Sequence, residues 1–325
     1  MSKYFIDTLR PIVKDKRPTL LHKIGFEERS LVSVAGCPDF EWNQILTLAS
    51  TDRSEKARLN LATLQKSLSE RGVSLNLVGE LNQSDPLETQ TALSAALNSV
   101  VSAWSEGELW IDFTALRREE LLILVRLLLD RFDRSTLDRI YGLYVSARKM
   151  GEWLSGDVVD IRSVVGFPGE ISPARSTTLI ALMGFEINRA RAIIESYEPS
   201  NVLLGIPSLE GSINHELYSR NQEVLRKVSE DFRPLISGTF EFSANDPTKA
   251  FNDLSKVVSE CLETNIILAP LHTKLSTLAV GAVGRSDPRI QICYAAVDEY
   301  NEETYSQPSG EFYLVPFSFM PSGVS

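Results

Sequence analysis

Two stretches of the chain decide its fold: Thr19–Glu27, TLLHKIGFE, and Thr178–Glu186, TLIALMGFE. Each is a short apolar run of the length of a buried strand, followed by the same Gly-Phe-Glu turn. Gly25 and Gly184 are 159 residues apart. Because the units of solenoid proteins run to roughly 20–50 residues, a repeat of this length predicts a duplicated domain.

Further signals recur in the same order. Asn60 and Asn221 are 161 residues apart, as are the dipeptides Asp85-Pro86 and Asp246-Pro247. Aspartate caps a helix and proline loses no hydrogen bond in the first turn, so each dipeptide predicts a helix start. Strands and helices alternate through both halves, which indicates a parallel sheet covered on both faces. The sequence therefore predicts an α/β fold of two tandem Rossmann-like parallel-sheet domains related by internal duplication.

The predicted domain boundaries follow from composition. We expect a first domain over residues 1–150, in which residues 1–17 form an N-terminal arm. A linker over residues 151–175 is rich in Gly, Pro and Ser. The second domain then covers residues 176–325, with a C-terminal tail whose alternating pattern predicts an edge strand.

Bulk composition limits the function. The length of 325 residues suits two domains, and 43% hydrophobic residues are enough for two conventional cores. The net charge of −10 argues against a broad surface for duplex DNA, whose affinity comes from Lys and Arg on phosphates. A local basic cleft remains open.

Three cysteines and three scattered histidines predict no disulfide framework, no metal site and no cofactor. The N-terminus carries charges where a signal peptide needs an apolar core. No apolar run reaches the ~18 residues of a membrane span. We therefore expect a cytoplasmic protein with no membrane partner.

The first strand of each half is followed by a glutamate and an arginine. They are Glu27 with Arg29, and Glu186 with Arg189. Ligands of open α/β sheets bind at the carboxyl ends of strands, so these residues are site candidates. A structural interpretation also stands, because a glutamate stabilises a helix N-terminus and pairs with arginine.

The fourth strand of each half leads into a helix through Asp112–Arg118, DFTALRR, or Ala269–Lys274, APLHTK. Both segments place a hydroxyl and a cation at a helix N-terminus, where cations are unfavourable and anions bind. This arrangement, made twice, indicates a negatively charged ligand; simple solvation of the cations stays open. The candidate ligand-binding residues are Arg29, Thr114, Arg117, Arg118, Arg189, His272, Thr273 and Lys274.

The sequence lacks the catalytic fingerprints that we sought. G-x-G-x-x-G, G-x-x-x-x-G-K-[ST] and G-x-S-x-G do not occur. Their absence disfavours a dinucleotide enzyme, an NTPase and a serine hydrolase. If the protein is an enzyme, the candidate bases are Glu27, Glu186 and Asp112.

The segments Ile111–Thr114 with Arg117, and Leu268 with His272–Lys274, resemble the strand-to-helix motif of CRISPR-associated Rossmann fold (CARF) sensor domains. In that family Thr-Gly-Gly-Thr-Lys leads into a helix beside a bound cyclic oligonucleotide. Here Ala115-Leu116 and Leu271-His272 replace the glycines. The resemblance implies a CARF-like sensor or accessory subunit with a nucleotide ligand, contacted by Thr273 and Lys274.

The leading hypothesis is a regulatory or accessory protein of bacterial antiviral defence. It would bind a nucleotide or short oligonucleotide in a cleft between the two halves and act through a partner effector protein. Two alternatives stay open. One is a nucleotide-processing enzyme that hydrolyses phosphodiester or N-glycosidic bonds, and the other is a structural subunit of a defence complex.

Overall fold

The computed structural model describes residues 1–51 and 53–321. In chain order the strands are β1 (Ser2–Phe5), β2 (Thr19–Lys23), β3 (Gln44–Ser50), β4 (Leu77–Leu81), β5 (Leu109–Asp112), β6 (Ile140–Met150), β7 (Val158–Pro168), β8 (Thr177–Leu182), β9 (Asn201–Pro207), β10 (Ile236–Phe242), β11 (Asn265–Pro270), β12 (Ile290–Val297) and β13 (Ser306–Pro316). The helices are α1 (Ile6–Lys16), α2 (Arg29–Val32), α3 (Glu55–Glu70), α4 (Pro86–Ala103), α5 (Arg118–Arg131), α6 (Arg134–Leu137), α7 (Ile187–Tyr197), α8 (His215–Asp231), α9 (Pro247–Glu260) and α10 (Lys274–Ser286).

The chain divides into two compact units. The first contains Met1–Glu120, Leu127–Glu152 and the described chain from Glu302 onward. The second contains Leu121–Arg126 and Trp153–Asn301. Each unit is built around one sheet.

The sheet of the first unit has the strand order β1-β13-β6-β5-β2-β3-β4. Strands β2 to β6 pair in parallel, while β13 lies antiparallel to β6 and β1 lies antiparallel to β13. Every residue of the central strand β2 is buried, as expected of a parallel strand covered on both faces.

The sheet of the second unit has the order β10-β9-β8-β11-β12-β7. Strands β8 to β12 pair in parallel and β7 lies antiparallel to β12. If the parallel strands of each unit are numbered from its first, both sheets run 3-2-1-4-5. The predicted α/β class with two Rossmann-like sheets is confirmed. A common strand order is what a duplication produces, and the duplication itself stays a prediction.

The two predicted helix starts have the geometry that their sequences indicate. Asp85 Oδ1 accepts hydrogen bonds from the backbone nitrogens two and three residues further along the chain, at 2.8 and 3.0 Å. Asp246 Oδ1 does the same at 2.9 and 3.1 Å. Pro86 and Pro247 occupy the first turns of α4 and α9.

Strands β7 and β13 depart from the predicted boundaries. Val158–Pro168, inside the predicted linker 151–175, forms β7 at the edge of the second sheet. The tail does supply a strand, but β13 pairs with β6 of the first unit rather than with the second domain over 176–325. It is not the predicted edge strand, because β1 pairs with its other side. Gly and Pro suggest a linker, yet edge strands tolerate both because one side of an edge needs no ladder partner.

Each unit has its own apolar core. In the first, Trp110, Phe40 and Phe312 are at most 1% exposed and belong to one cluster. In the second, Leu204 and Ala269 from the sheet pack with Ile193 from α7. Within residues 1–51 and 53–321, we find no helix with the length and apolar character needed to span a membrane.

Candidate functional site

The strand order reverses at one place in each sheet. Strand β2 lies between β3 and β5, and β8 lies between β9 and β11, so successive strands depart in opposite directions from these centres. Ligands of open α/β sheets bind outside the carboxyl ends of the strands at such a point. The loops that follow β2, β5, β8 and β11 are the segments singled out in the sequence.

In the second unit, the loops after β8 and β11 touch. A Cβ added to Gly184 would lie 1.8 Å from the carbonyl oxygen of Leu271. Because no side chain fits in that space, glycine is required here for the close approach of the two loops. The repeated Gly-Phe-Glu signal is thus explained in this unit by packing at the end of the sheet.

Thr273 and Lys274 begin helix α10 directly beyond β11. The Thr273 hydroxyl accepts a hydrogen bond from Ser276 N at 3.1 Å and donates one to Ala244 O at 2.7 Å. It therefore caps the helix and fastens it to the loop after β10. Lys274 is the first helical residue and is partly exposed. Its position at a helix N-terminus is where backbone N–H groups favour an anion.

His272 is nearly buried, at 9% exposure, and packs edge-on against the Phe242 ring at a centroid distance of 5.4 Å. Its Nε2 lies 2.6 Å from Asn221 Nδ2. An amide nitrogen only donates, so Nε2 accepts this hydrogen bond. Asn221 of helix α8 therefore holds the His272 ring in place, and the predicted contact of His272 with a ligand stays a prediction.

Two asparagines that recur in the sequence hold the Gly-Phe-Glu loops. Asn60 Nδ2 donates to Gly25 O at 2.8 Å and to Phe26 O at 2.9 Å. Asn221 Nδ2 donates to Met183 O at 3.1 Å. The repeat pointed to both residues, but their role is visible only once helices α3 and α8 are placed against the strand ends.

In the first unit, Thr114 and Asp112 lie inside the turn after β5. Thr114 Oγ1 accepts from Val145 N at 2.9 Å, and its own nitrogen donates to Asp112 Oδ1 at 2.8 Å. Both side chains are at most 3% exposed. Their geometry stabilises the turn, and the burial of the Thr114 hydroxyl leaves a ligand little access to it.

Arg117 and Arg118 stand at the start of α5 and are partly exposed. Arg117 N donates to Glu120 Oε2 at 2.7 Å, and Lys23 Nζ lies 2.6 and 2.7 Å from the two Glu120 oxygens. Burial tends to raise the pKa of Glu120, but the charges of Lys23 and Arg117 and their hydrogen bonds lower it overall. An ionised carboxylate at this helix start opposes an anionic ligand. The second unit is therefore the better candidate.

The Glu–Arg pairs are internal in both units. Glu27 and Arg29 form a buried ion pair, and Arg29 Nη1 donates to Val145 O at 2.9 Å and to Tyr144 Oη at 3.2 Å. Desolvation is the largest single effect and lowers the pKa of Arg29, but the charges of Glu27 and Tyr144 and their hydrogen bonds together raise the pKa overall. The guanidinium stays charged and its hydrogen bonds go to protein atoms.

The second unit repeats this arrangement. Arg189 Nε lies 3.1 Å from Glu186 Oε1, and Arg189 Nη2 donates to Tyr300 Oη at 3.2 Å. The guanidinium carbon lies 5.9 Å from the centroid of Tyr294, the counterpart of the 5.6 Å separation between Arg29 and Tyr144. The structural interpretation of both pairs gains support, and ligand contact by these arginines stays a prediction.

Among residues 1–51 and 53–321, no group of three or more His, Cys, Asp or Glu side chains is arranged to hold a metal ion. The three candidate bases are largely buried. Glu27 is 8% exposed, Asp112 is 3% exposed, and the side chain of Glu186 is 6% exposed.

No protein-family model matches this chain, and no curated protein matches it. Among solved structures, the chain is similar to a type III CRISPR defence DNA nuclease activated by cyclic oligoadenylate, with a TM-score of 0.50 and 11% identity. The match covers 81% of this chain but only 63% of that chain. A second similar structure is Anabaena Alr3699/HepE in complex with UDP and glucose, at a TM-score of 0.22, 10% identity, and 83% and 89% coverage. A TM-score of 0.22 is too low to indicate a common fold, whereas the similarity to the nuclease supports the Rossmann-like fold.

Proposed function

We propose that this protein is a regulatory or accessory component of antiviral defence that binds a nucleotide or short oligonucleotide. The ligand's phosphate lies against the start of α10, where Lys274 supplies charge and the backbone supplies donors. Ligand binding is passed to a partner effector protein.

One observation supports this proposal above the others. A cation occupies the first position of α10, directly beyond the carboxyl end of β11 and beside the point where the strand order reverses. A lysine there is unfavourable for the helix alone, so a bound anion would account for it. The likeness in fold to a defence nuclease activated by cyclic oligoadenylate favours a nucleotide as that anion.

Thr273 and Asn221 have positioning roles in the proposed site. Thr273 fixes the first turn of α10 through its two hydrogen bonds. The backbone N–H groups of that turn are thereby held in place to donate to the ligand. Asn221 holds His272 and the strand end of β8 in place. The predicted cleft between the two halves stays a prediction.

The test is a screen of the purified protein against mononucleotides, cyclic dinucleotides and cyclic oligoadenylates. Thermal shift detects binding, and chromatography of the same mixtures detects products. The proposal expects stabilisation by at least one ligand without conversion of that ligand. Absence of any stabilisation across the panel would refute nucleotide binding, and rapid conversion would point to the enzyme alternative.

A further inference from the structure

A cavity lies in the first unit, away from the loops described above. It has a volume of about 510 Å³ and is lined by α1, by the segment before β3 and by the residue that ends α3. Arg17 and Trp42, two of its lining residues, come just before β2 and β3. The cavity therefore lies at the amino ends of these parallel strands, whereas the candidate loops follow the carboxyl ends.

The lining of this cavity is rich in cations although the protein as a whole carries a charge of −10. Arg10, Lys14 and Arg17 follow one another at spacings of four and three residues, which places them on one face of α1 and its cap. Arg71, the C-cap of α3, adds a fourth cation. Like charges at this spacing repel one another weakly, so an anion bound among them would be stabilised.

The acidic residues at the cavity do not neutralise this charge closely. Arg10 Nη2 lies 3.7 Å from Asp39 Oδ2, and Lys14 Nζ lies 3.9 Å from Glu41 Oε1. Both separations exceed hydrogen-bond length. Arg10 Nη2 also lies 3.7 Å from Asp7 Oδ1, which is not part of the lining. Four cations and two carboxylates therefore line the cavity, and the ion pairs of Arg10 and Lys14 are longer than hydrogen bonds.

Two arginine donors at the cavity are buried without a hydrogen bond. Among the residues that the structure describes, Arg10 Nε and Arg71 Nη1 have no partner. Helix dipoles account for cations near the C-terminal ends of α1 and α3, but they do not account for these two nitrogens. A buried donor that lacks a partner is costly. Arg71 Nη2 donates to Phe40 O at 3.1 Å, and a small shift of either guanidinium toward an anion in the cavity would give the enclosed nitrogens an acceptor.

We propose that this cavity binds the phosphate group of a small phosphorylated molecule. Arginine is the side chain best suited to phosphate because its planar donor fork accommodates two phosphate oxygens. Phe40 and Trp42 form a buried apolar part of the wall, and Trp42 Nε1 already donates to Ser33 O at 3.3 Å. The volume lies in the range of about 300–1,000 Å³ that is usual for small-molecule sites, so it holds more than the phosphate itself.

The test measures binding of inorganic pyrophosphate and of AMP by calorimetry at low salt. Wild type should bind at least one probe, and Arg10→Gln and Arg71→Gln should each bind it at least about tenfold more weakly. Lys66→Gln is the matched control, because it removes a positive charge from an exposed position on α3. Its affinity should stay within about twofold of wild type.

One variant should act in the opposite direction. Asp39→Asn removes a negative charge from the cavity and should strengthen binding by up to about fivefold, a gain that misfolding does not produce. Lys274→Ala should leave this binding unchanged, which separates the cavity from the proposed nucleotide site. The inference is overturned if wild type binds neither probe, if Lys66→Gln weakens binding as much as Arg10→Gln, or if Lys274→Ala abolishes it.

Discussion

A substitution in the buried pair of Glu27 and Arg29 tests whether this pair stabilises the fold or contacts a ligand. We predict that Glu27→Gln destabilises the first unit. Arg29 is 2% exposed and Glu27 is 8% exposed, so the substitution leaves a guanidinium buried without its counter-charge. Removing one partner of a buried ion pair costs about 3–5 kcal/mol.

The structure places the expected value at the lower end of that range. Arg29 keeps its hydrogen bonds to Val145 O at 2.9 Å and to Ser306 Oγ at 2.9 Å, and the new amide oxygen can still accept. We therefore expect about 3 kcal/mol at pH 7. With a urea dependence of about 1–3 kcal/mol per molar, the midpoint should fall by about 1–3 M.

Urea unfolding followed by tryptophan fluorescence measures this change selectively. Trp42, Trp104 and Trp110 lie in the first unit, while Trp153 of the second is half exposed. The control is Glu70→Gln, which breaks an exposed pair with Lys66 on α3 of the same unit and should cost below about 0.5 kcal/mol. Equal midpoints for the two variants, together with lost nucleotide binding by Glu27→Gln, would refute the structural interpretation.

Three further predictions concern the core, acid stability and catalysis. Phe312→Ala on β13 should destabilise the first unit by about 3–5 kcal/mol, because this ring is fully buried. Leu59→Ala, at an exposed position of α3 in the same unit, should change stability by at most about 0.5 kcal/mol in the same urea assay. Burial lowers the pKa of His22 from 6.5 to about 4, so the unfolded chain binds a proton before the folded one, and about 3 kcal/mol of stability should be lost between pH 6.5 and 4. In His22→Gln, the free energy of unfolding should fall between pH 6.5 and 4 by about 3 kcal/mol less than it does in wild type, when both proteins are unfolded at each pH. The isolated chain should show no strong nucleotide turnover in product chromatography, since the candidate acids are engaged in internal contacts; a robust rate abolished by Glu186→Gln or Asp112→Asn would contradict this.

The fold was predictable where the determining signals are local. Asp85 and Asp246 act on backbone nitrogens two and three residues away, so the sequence alone locates both helix starts. Apolar strands followed by Gly25 and Gly184 similarly fix the centres of the two sheets. These features depend on neighbours in the chain.

Strands β7 and β13 depend on distant partners instead. Strand β7 pairs with β12, and β13 pairs with β6, more than a hundred residues away in each case. Composition around residues 151–175 suggests a linker because an edge strand makes weaker demands on sequence than a central one. Pairing partners cannot be inferred from composition.

The positions of the candidate residues were predictable, but their contacts only partly. Thr273 and Lys274 do lie beyond the central strands, as the alternation of elements indicates. Arg29, in contrast, contacts Tyr144 and Ser306, residues far away in sequence, so its burial is a tertiary property. The basic cavity was missed for the same reason, because Arg71 joins Arg10 only through the packing of α3 and α1 in one unit.

The most direct test of the account is calorimetric titration of the nucleotide that the screen identifies, or of cyclic oligoadenylates, into three proteins. These are wild type, Lys274→Ala and the control Lys256→Ala, whose side chain is exposed on α9. A lost charged hydrogen bond to phosphate corresponds to about 1.5–3 kcal/mol, so Lys274→Ala should bind at least about tenfold more weakly. Lys256→Ala should match wild type, and all three proteins should share one melting temperature within about 2 °C. Equal affinity of wild type and Lys274→Ala would contradict the assignment of the start of α10 as the ligand site.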